Sequence, residues 1–328
     1  MNNSNVQNKR AFKNTPVGKF LKSYGGLMIV ILAMMTVTTI FNPVFLKGTN
    51  LLNLLINNNT IFLAGLGMTF VIICGGIDLS QGALAAFSTM VLALLINAGV
   101  PSFIAVAATI AAGGIVGVVN GAIVAFGRIH SFIATLGMKT ILRGLAIAFN
   151  SGYPMPIDSE HDVLSFGNGN ILGISNVLII AVAAFAICWF VLNKTNAGRD
   201  LFAVGGNQEA AKFSGINVEK TTVFAFVLSG LLTALAGTIM ATRMYSGVPS
   251  CAEALETDAI TAVIIGGTSF TGGDGNVTGT VFGTILLAVL LNCMVMFGIS
   301  EWLQNVISGV IIIAAVIYDR IRHGKAVH

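Results

Sequence analysis

The chain has 328 residues, of which 55% are hydrophobic and only 9% are charged, with a formal net charge of +4. A soluble domain carries about 25% charged residues, so this composition excludes a water-covered surface and indicates a protein surrounded by lipid. The basic residues flank apolar segments, which argues against nucleic acid as a partner, and the 38 glycines suit close helix packing in a membrane.

The first apolar run, 25–41, follows a basic N-terminal segment, 1–24. It is longer than a usual signal-peptide core and ends in Asn42-Pro43 without a small-residue cleavage site, so we interpret it as an uncleaved first helix. A membrane-spanning helix needs about 20 apolar residues. Nine further stretches approach that length, although the eighth of the ten is short: 54–74, 83–98, 103–126, 132–150, 171–192, 222–242, 257–267, 277–299 and 302–318. The pattern predicts an all-α, polytopic membrane protein of about ten transmembrane helices.

The basic residues give these helices a direction, because cytoplasmic loops carry an excess of Lys and Arg. With the N-terminus in the cytoplasm, thirteen basic residues fall inside and only Lys47 and Arg243 fall outside. The thirteen are Lys9, Arg10, Lys13, Lys19, Lys22, Arg128, Lys194, Arg199, Lys212, Lys220, Arg320, Arg322 and Lys325. We therefore predict a cytoplasmic segment 1–24, a transmembrane domain 25–318 with a cytoplasmic loop 193–221, and a cytoplasmic tail 319–328. The acidic loop residues Asp158, Glu160, Asp162, Glu253 and Glu256 are predicted to lie outside.

Two glycine-rich breaks interrupt the apolar stretches and are predicted to lie on the same face. In the first, Gly75 and Gly76 permit unusual backbone angles, and Asp78 and Ser80 can cap the following helix. An ionisable residue near membrane depth is a functional candidate, so Asp78 is either part of a translocation path or only a helix cap at the headgroup level. The second break, 266–275, begins with Gly266 and Gly267. It lacks the lysine of a phosphate-binding loop, which makes nucleotide binding improbable.

Lys139 and Arg143 are four residues apart and share one face of the fifth stretch. One interpretation is a polar patch that lies near a translocation path or a dimer interface. The other is that the span begins later and both side chains snorkel at the cytoplasmic surface. The polar residues 57–60, Asn120, Asn150 and Asn292 can bind a sugar, although most are better interpreted as hydrogen-bond partners between helices. No metal-ligand cluster, nucleophile–base pair or carboxylate pair within a span is evident, so we predict neither an enzyme nor a proton-coupled carrier.

The cytoplasmic loop contains a short predicted helix. Asn207 can act as its N-cap, residues 208–214 provide about two turns, and Gly215 fits the C′ position that ends a helix. This helix either contacts another protein or lies on the bilayer surface as an amphipathic helix.

The residues of this loop resemble those of a known transporter family. Glu209, Ala210 and Ala211 followed by Gly215 match the start of the EAA loop of ATP-binding-cassette (ABC) import permeases, although the usual Leu-Pro pair is missing. The fuller pattern, which includes Ser214 and Ile216, is similar to the ribose, galactoside and arabinose permeases. GGIDLS at 75–80, SFIATLGM at 131–138, the TxxRG pattern at 140–144 and IGGTSFTGG at 265–273 extend the resemblance over almost the whole chain.

The resemblance implies a permease subunit of the bacterial inner membrane that binds no cofactor itself. It implies that residues 207–216 form a coupling helix on a cytoplasmic ATPase with two nucleotide-binding halves, which binds the ATP. It also implies an extracytoplasmic sugar-binding protein and a second permease copy. The substrate is then a monosaccharide such as a ribose-like pentose. A secondary carrier or channel and a branched-chain amino-acid permease remain the alternatives.

Overall fold

The computed structural model describes residues 16–323 and is almost entirely helical. The longer helices are α1 (Pro16–Phe41), α2 (Gly48–Asn57), α3 (Asn59–Ile73), α4 (Gln81–Asn97), α5 (Ser102–Gly127), α6 (Ser131–Ala148), α8 (Asn176–Lys194), α9 (Asn196–Gly206), α11 (Val218–Met244), α12 (Leu255–Ile265), α13 (Val277–Met296) and α14 (Glu301–His323). Two shorter helices, α7 (Ser165–Asn168) and α10 (Gln208–Phe213), lie in loops.

The strands are four two-residue segments, all on the predicted external side. β1 (Met155–Pro156) pairs with β4 (Ser246–Gly247), while β2 (Asn170–Ile171) and β3 (Ile174–Ser175) form a hairpin. The hairpin corrects the predicted sixth span, which begins at Asn176 instead of residue 171. Ile171 and Ile174 are apolar but lie in this hairpin, and a hydropathy window cannot distinguish them from helix residues.

The predicted all-helical membrane architecture is confirmed, whereas the count of ten spans is not. Among the described residues, six helices are long and apolar enough to cross a membrane. The count rises to seven if α2 and α3, which bend by 43° at their junction, form one span. The remaining three predicted spans correspond to α4 with 17 residues, α12 with 11 residues, and α14, in which Trp302–Ala314 is counted as a shorter apolar helix.

The terminal predictions fall partly outside the described residues. Residues 1–15, with Lys9, Arg10 and Lys13, and residues 324–328, with Lys325, lie beyond them. Helix α1 begins at Pro16, nine residues before the predicted start of the first span. The division into cytoplasmic ends and a central membrane domain therefore stays a prediction.

Helix α11 is the central helix, and it packs most extensively against α5. Gly113, Gly117 and Gly121 of α5 recur every four residues and therefore lie on one helix face. A Cβ on Gly117 would overlap the carbonyl oxygen of Phe226 and lie 2.7 Å from the Cα of Val227. The glycines thus let the two helix backbones touch, as small residues do in membrane helix pairs.

Candidate functional site

The first interrupted span lies between α3 and α4. Gly75 has a φ of +85° where the chain turns back after α3. The extended residues that follow are held by hydroxyls of α6, since the N–H of Ile77 donates to Ser131 Oγ at 3.0 Å and that of Leu79 donates to Thr135 Oγ1 at 3.0 Å. These side chains replace helical hydrogen bonds, which is how non-helical backbone survives at membrane depth.

The contacts of this segment with α11 show how deep it reaches. Cys74 lies beside Thr222 in the first turns of α11, whereas Gln81 donates a hydrogen bond to Ser229. Seven residues of helix separate Thr222 from Ser229, a rise of about 10 Å. Helix α4 therefore begins well inside the protein rather than at the cytoplasmic surface.

The second interrupted span follows α11 and runs in the opposite direction. Residues 245–254 descend along α4 without helical structure, and the N–H of Val248 donates to Thr89 Oγ1 at 3.0 Å. Helix α12 then begins at Leu255, so its first turn meets the first turn of α4. The N–H of Gly82 donates to Glu256 Oε2 at 3.2 Å. Interrupted helices that meet inside a transporter are a structural indication of a binding site.

Asp78 lies at this junction and is 1% exposed. Its carboxylate accepts hydrogen bonds from the N–H and the hydroxyl of Ser80 and from the hydroxyl of Ser229. The prediction that Ser80 caps α4 through its side chain is wrong, because the Ser80 hydroxyl is committed to Asp78 and receives the Asn120 amide. Asp78 is also not a cap at the headgroup level, because Ser229 lies near the middle of α11.

Lys139 and Arg143 are both tied to the second interrupted span. Lys139 forms an ion pair with Glu256, and Arg143 donates to the carbonyl oxygens of Pro249 at 2.6 Å and Cys251 at 3.0 Å. Helix α6 begins at Ser131, so Lys139 lies eight residues inside it. These contacts hold both side chains against the second interrupted span, which disagrees with the snorkelling alternative. A position beside the path or at a dimer interface stays a prediction.

The prediction that Glu256 belongs to an external acidic loop is wrong. Its side chain is 3% exposed and lies in the first turn of α12, together with Asp258. The prediction that no span carries a carboxylate pair fails for the same reason. Acidic residues in the first turn of a helix are stabilised by the positive end of the helix dipole. The position of Glu256 just before an apolar stretch was therefore a sequence signal for a helix start. Within the described part of the chain, no group of residues could hold a metal ion.

The two glycine-rich breaks meet on one face, as predicted. A third glycine pair, Gly205-Gly206, contacts both of them. The N–H of Gly273 donates to the carbonyl of Ile73 at 2.9 Å. A Cβ on Gly272 would lie 2.9 Å from the Cα of Gly75 and 3.0 Å from the carbonyl oxygen of Gly205. Gly205 belongs to α9, a helix that sequence reasoning treated as loop. We call these contacts the glycine junction.

Gly266 and Gly267 end α12 just before this junction. Gly267 has a φ of +93°, which favours glycine. A Cβ on Gly266 would collide with the backbone of Gly279 in the first turn of α13. The break thus allows the end of α12 to contact α13 directly.

The predicted short helix is present as α10. Asn207 Oδ1 accepts the N–H of Ala210 at 2.9 Å, which makes Asn207 the N-cap. At the other end Gly215 has a φ of +83°, and the N–H of Ile216 donates to the carbonyl of Ala211 at 3.1 Å. This hydrogen bond and that from Gly215 to Lys212 form a Schellman motif.

One side of α10 is anchored and the other projects. Ala211 is 4% exposed and packs with Ile216, whereas Phe213 is 92% exposed. Glu209, Ala210 and Ser214 are also exposed. Between α10 and the first break lies a cavity of about 620 Å³ whose lining includes Glu209, Lys212 and Gly76. An exposed aromatic on a rigidly capped turn is suited to insertion into a partner protein.

The remaining polar candidates act mostly between or within helices, as expected. Asn120 donates to Ser80, Asn292 pairs with Asn50, and Asn57 accepts from Arg243. On the predicted external side, the Ser102 hydroxyl donates to Asp162, and together with the neighbouring His161 it holds the pKa of that carboxyl below its ordinary value. Asp162 is therefore charged at neutral pH.

Comparison with known proteins agrees with this geometry. A family model described as "Branched-chain amino acid transport system / permease component" matches residues 50–316. The ribose import permease protein RbsC of Bacillus subtilis (strain 168) is 40% identical over 305 residues, which cover 93% of this chain and 92% of the relative. RbsC of Escherichia coli (strain K12) is 38% identical over 295 residues, with 89% and 92% covered. The L-arabinose ABC transporter permease protein AraH of Azospirillum brasilense is 35% identical over 300 residues, with 92% and 88% covered. No solved structure matches the chain.

Apolar helices around two interrupted spans define a multi-pass transport protein of the bacterial inner membrane. The chain belongs to the family of ABC sugar-import permeases, whose members are transport subunits rather than enzymes.

Proposed function

We propose that this chain is the membrane subunit of an ATP-driven, binding-protein-dependent importer of a monosaccharide, a ribose-like pentose or a related sugar. The observation that carries this proposal is 35–40% identity over about nine-tenths of the chain to permeases named for ribose and arabinose. The family model is named for branched-chain amino acids, which keeps that substrate class as a second candidate. The sugar names of the full-length relatives favour the first.

The proposed partners are a cytoplasmic ATPase with two nucleotide-binding halves and an extracytoplasmic sugar-binding protein. The ATPase binds ATP, and the permease itself needs no cofactor. The external acids Asp158, Glu160, Asp162 and Glu253 are suited to docking the binding protein through basic residues on its surface.

A second permease copy is proposed to complete the path. The side chain of Lys139 is 37% exposed although it lies inside α6, and Ile133, Leu136 and Ile141 are exposed on the same helix. An ammonium group facing lipid at this depth is costly. A second copy, or the aqueous path between two copies, gives this face a polar environment.

Helix α10 is proposed as the coupling helix, with Asn207, Glu209, Ala210, Ala211, Ser214, Gly215 and Ile216 as its elements. A displacement of α10 reaches α9 directly, and the glycine junction connects α9 to both interrupted spans. Packed elements with this arrangement transmit rigid-body movement. The backbone then changes conformation at the two breaks, where flexibility comes from Gly75, Gly76, Gly266 and Gly267. The adjoining segments of the path are held by Asp78, Ser80 and Arg143.

Two substitutions in matched motifs test the coupling role. Gly215 and Gly99 both occupy the C′ position of a Schellman motif, both have positive φ, and a Cβ at either would meet nothing within 4 Å. We expect Gly215→Val to abolish stimulation of the partner ATPase and Gly99→Val to retain it, with both chains present in the membrane. Normal stimulation in Gly215→Val and in Asn207→Ala would refute the coupling assignment.

A further inference from the structure

A groove at the flank of the protein has the features of a ligand site that transport does not use. It has a volume of about 490 Å³ and lies between the α2–α3 bend, α8 and α13. Its walls include Leu55, Phe62, Val182, Phe185, Val281 and Ile285. This volume falls in the range of small-ligand pockets, about 300–1,000 Å³.

Asn59 lines this otherwise apolar groove and is 2% exposed. Within the described residues, neither Nδ2 nor Oδ1 of Asn59 has a hydrogen-bond partner. A buried amide without partners costs about 1–3 kcal/mol, which favours a polar partner for Asn59. Both amide atoms are covered in this structure, so the side chain must rotate towards the groove to reach such a partner. Thr284, which also lines the groove, has an unpartnered hydroxyl as well.

The depth of Asn59 identifies what that polar group is. Gly67 contacts Ser229 near the middle of α11, and Asn59 lies eight residues above it, about 12 Å towards the predicted external side. Asn57 accepts a hydrogen bond from Arg243, one residue before α11 ends. Half of the hydrocarbon core is about 15 Å, so Asn59 lies near the level where lipid ester carbonyls begin.

The wall formed by α8 favours lipid over protein as the neighbour. Val182, Ile187 and Phe190 are each more than half exposed, and the helix carries no charged residue before Lys194. The half-exposed cation that needs a polar environment, Lys139, lies on α6 instead. The α8 face is therefore the lipid side of the molecule.

We propose that this groove binds one diacyl phospholipid of the outer leaflet. An acyl chain occupies the apolar groove, and an ester carbonyl accepts a hydrogen bond from Nδ2 of Asn59. Thr284 lies deeper, close to Gly65, and is below the reach of the ester. The bound lipid fills the space behind the α2–α3 bend and supports it from the membrane side.

The test compares two lipids with the same headgroup on the full chain purified in detergent. One is dioleoyl phosphatidylglycerol, and the other is its dialkyl ether analogue, which lacks ester carbonyls. Native mass spectrometry counts the retained lipid. We expect about fivefold preference for the ester lipid, which corresponds to one net hydrogen bond. Asn59→Leu should abolish this preference and Thr284→Val should keep it.

A second pair of variants tests occupancy itself without changing a polar group. Ala181→Trp fills the groove, whereas Ala186→Trp places the same side chain elsewhere on α8, at an exposed position. We expect the first variant to lose the retained lipid and the second to keep it. Equal retention in both, equal affinity for the ester and ether lipids, or lost pairing of two permease copies in Ala181→Trp without lipid loss would overturn the proposal.

Discussion

The α5–α11 pair and the α4–α12 pair use glycine for opposite purposes. In the first pair, Gly117 and its neighbours remove side chains so that two unbroken helices touch. In the second, Gly75 and Gly267 adopt positive φ beside helix ends, and hydroxyls and an ion pair hold the exposed backbone. The difference teaches that the unbroken pair forms a rigid support. The interrupted pair is the part suited to movement, and α9 contacts the glycine breaks beside it.

The largest loss of stability is expected from a substitution that forces α5 and α11 apart. Gly117→Leu places a branched side chain against the backbone of α11, so overpacking should cost at least about 3 kcal/mol. Gly137→Leu is the control, because a Cβ at Gly137 would meet nothing within 4 Å. Thermal unfolding in detergent and the amount of folded chain in the membrane measure the difference. Equal stability of the two variants would contradict the close contact.

The interrupted pair should be sensitive to charge. Lys139→Met leaves the carboxylate of Glu256 buried without its cation, and this should cost about 3 kcal/mol. The double variant Lys139→Met/Glu256→Gln removes both charges and should recover most of the loss. Chemical unfolding of the single and double variants gives the coupling energy. Additive losses would show that the ion pair does not hold α6 to α12.

The sequence predicts the apolar helices well because each is a local pattern. All ten predicted stretches contain a helix, and the caps of α10 at Asn207 and Gly215 are confirmed because capping depends on neighbours within a few residues. Hydropathy does not show that residues 245–254, a non-helical segment in which Gly247 and Pro249 are buried, pack along α4. Helix α9 was missed because it is only moderately apolar, although Thr195 caps it.

The candidate site was only partly predictable, because most of its contacts join residues that are far apart in the sequence. Lys139 and Glu256 are 117 residues apart, so no local spacing indicates their ion pair. Asp78, Gly75 and Arg143 were selected because charge or glycine within an apolar stretch needs an explanation. Their actual partners, Ser229, Gly272 and the carbonyls of Pro249 and Cys251, depend on how distant segments pack.

Asp78 offers a test of how the first break is held. Among the described residues it has no basic partner, and its contacts are the Ser80 and Ser229 donors. Asp78→Ala leaves these buried donors unpaired and should cost about 1–3 kcal/mol. Asp78→Asn keeps an acceptor and should cost less. Unfolding midpoints in detergent measure both, and a greater loss for Asn than for Ala would refute the role of hydrogen bonding.

The smallest effect on stability is expected at the projecting side of α10. Phe213 is 92% exposed, so Phe213→Ser should change the free energy of unfolding by no more than about 0.5 kcal/mol. The same change should nevertheless reduce stimulation of the partner ATPase, because the aromatic ring is proposed to contact it. Lys212→Ser, at an exposed neighbouring position, is the control. An unchanged stimulation of the ATPase by Phe213→Ser would contradict the proposal that Phe213 of α10 contacts the ATPase.

Sugar uptake into proteoliposomes tests the central claim most directly. The buried acids Asp78 and Glu256 and the half-buried Asp258 remove the absence of acids inside the helices as a reason against an ion-coupled carrier, so the energy source must be measured. We predict that radiolabelled ribose or a related sugar accumulates only when the permease, its ATPase, ATP and the sugar-binding protein are all present. Accumulation by this chain alone under a proton or sodium gradient would contradict the account.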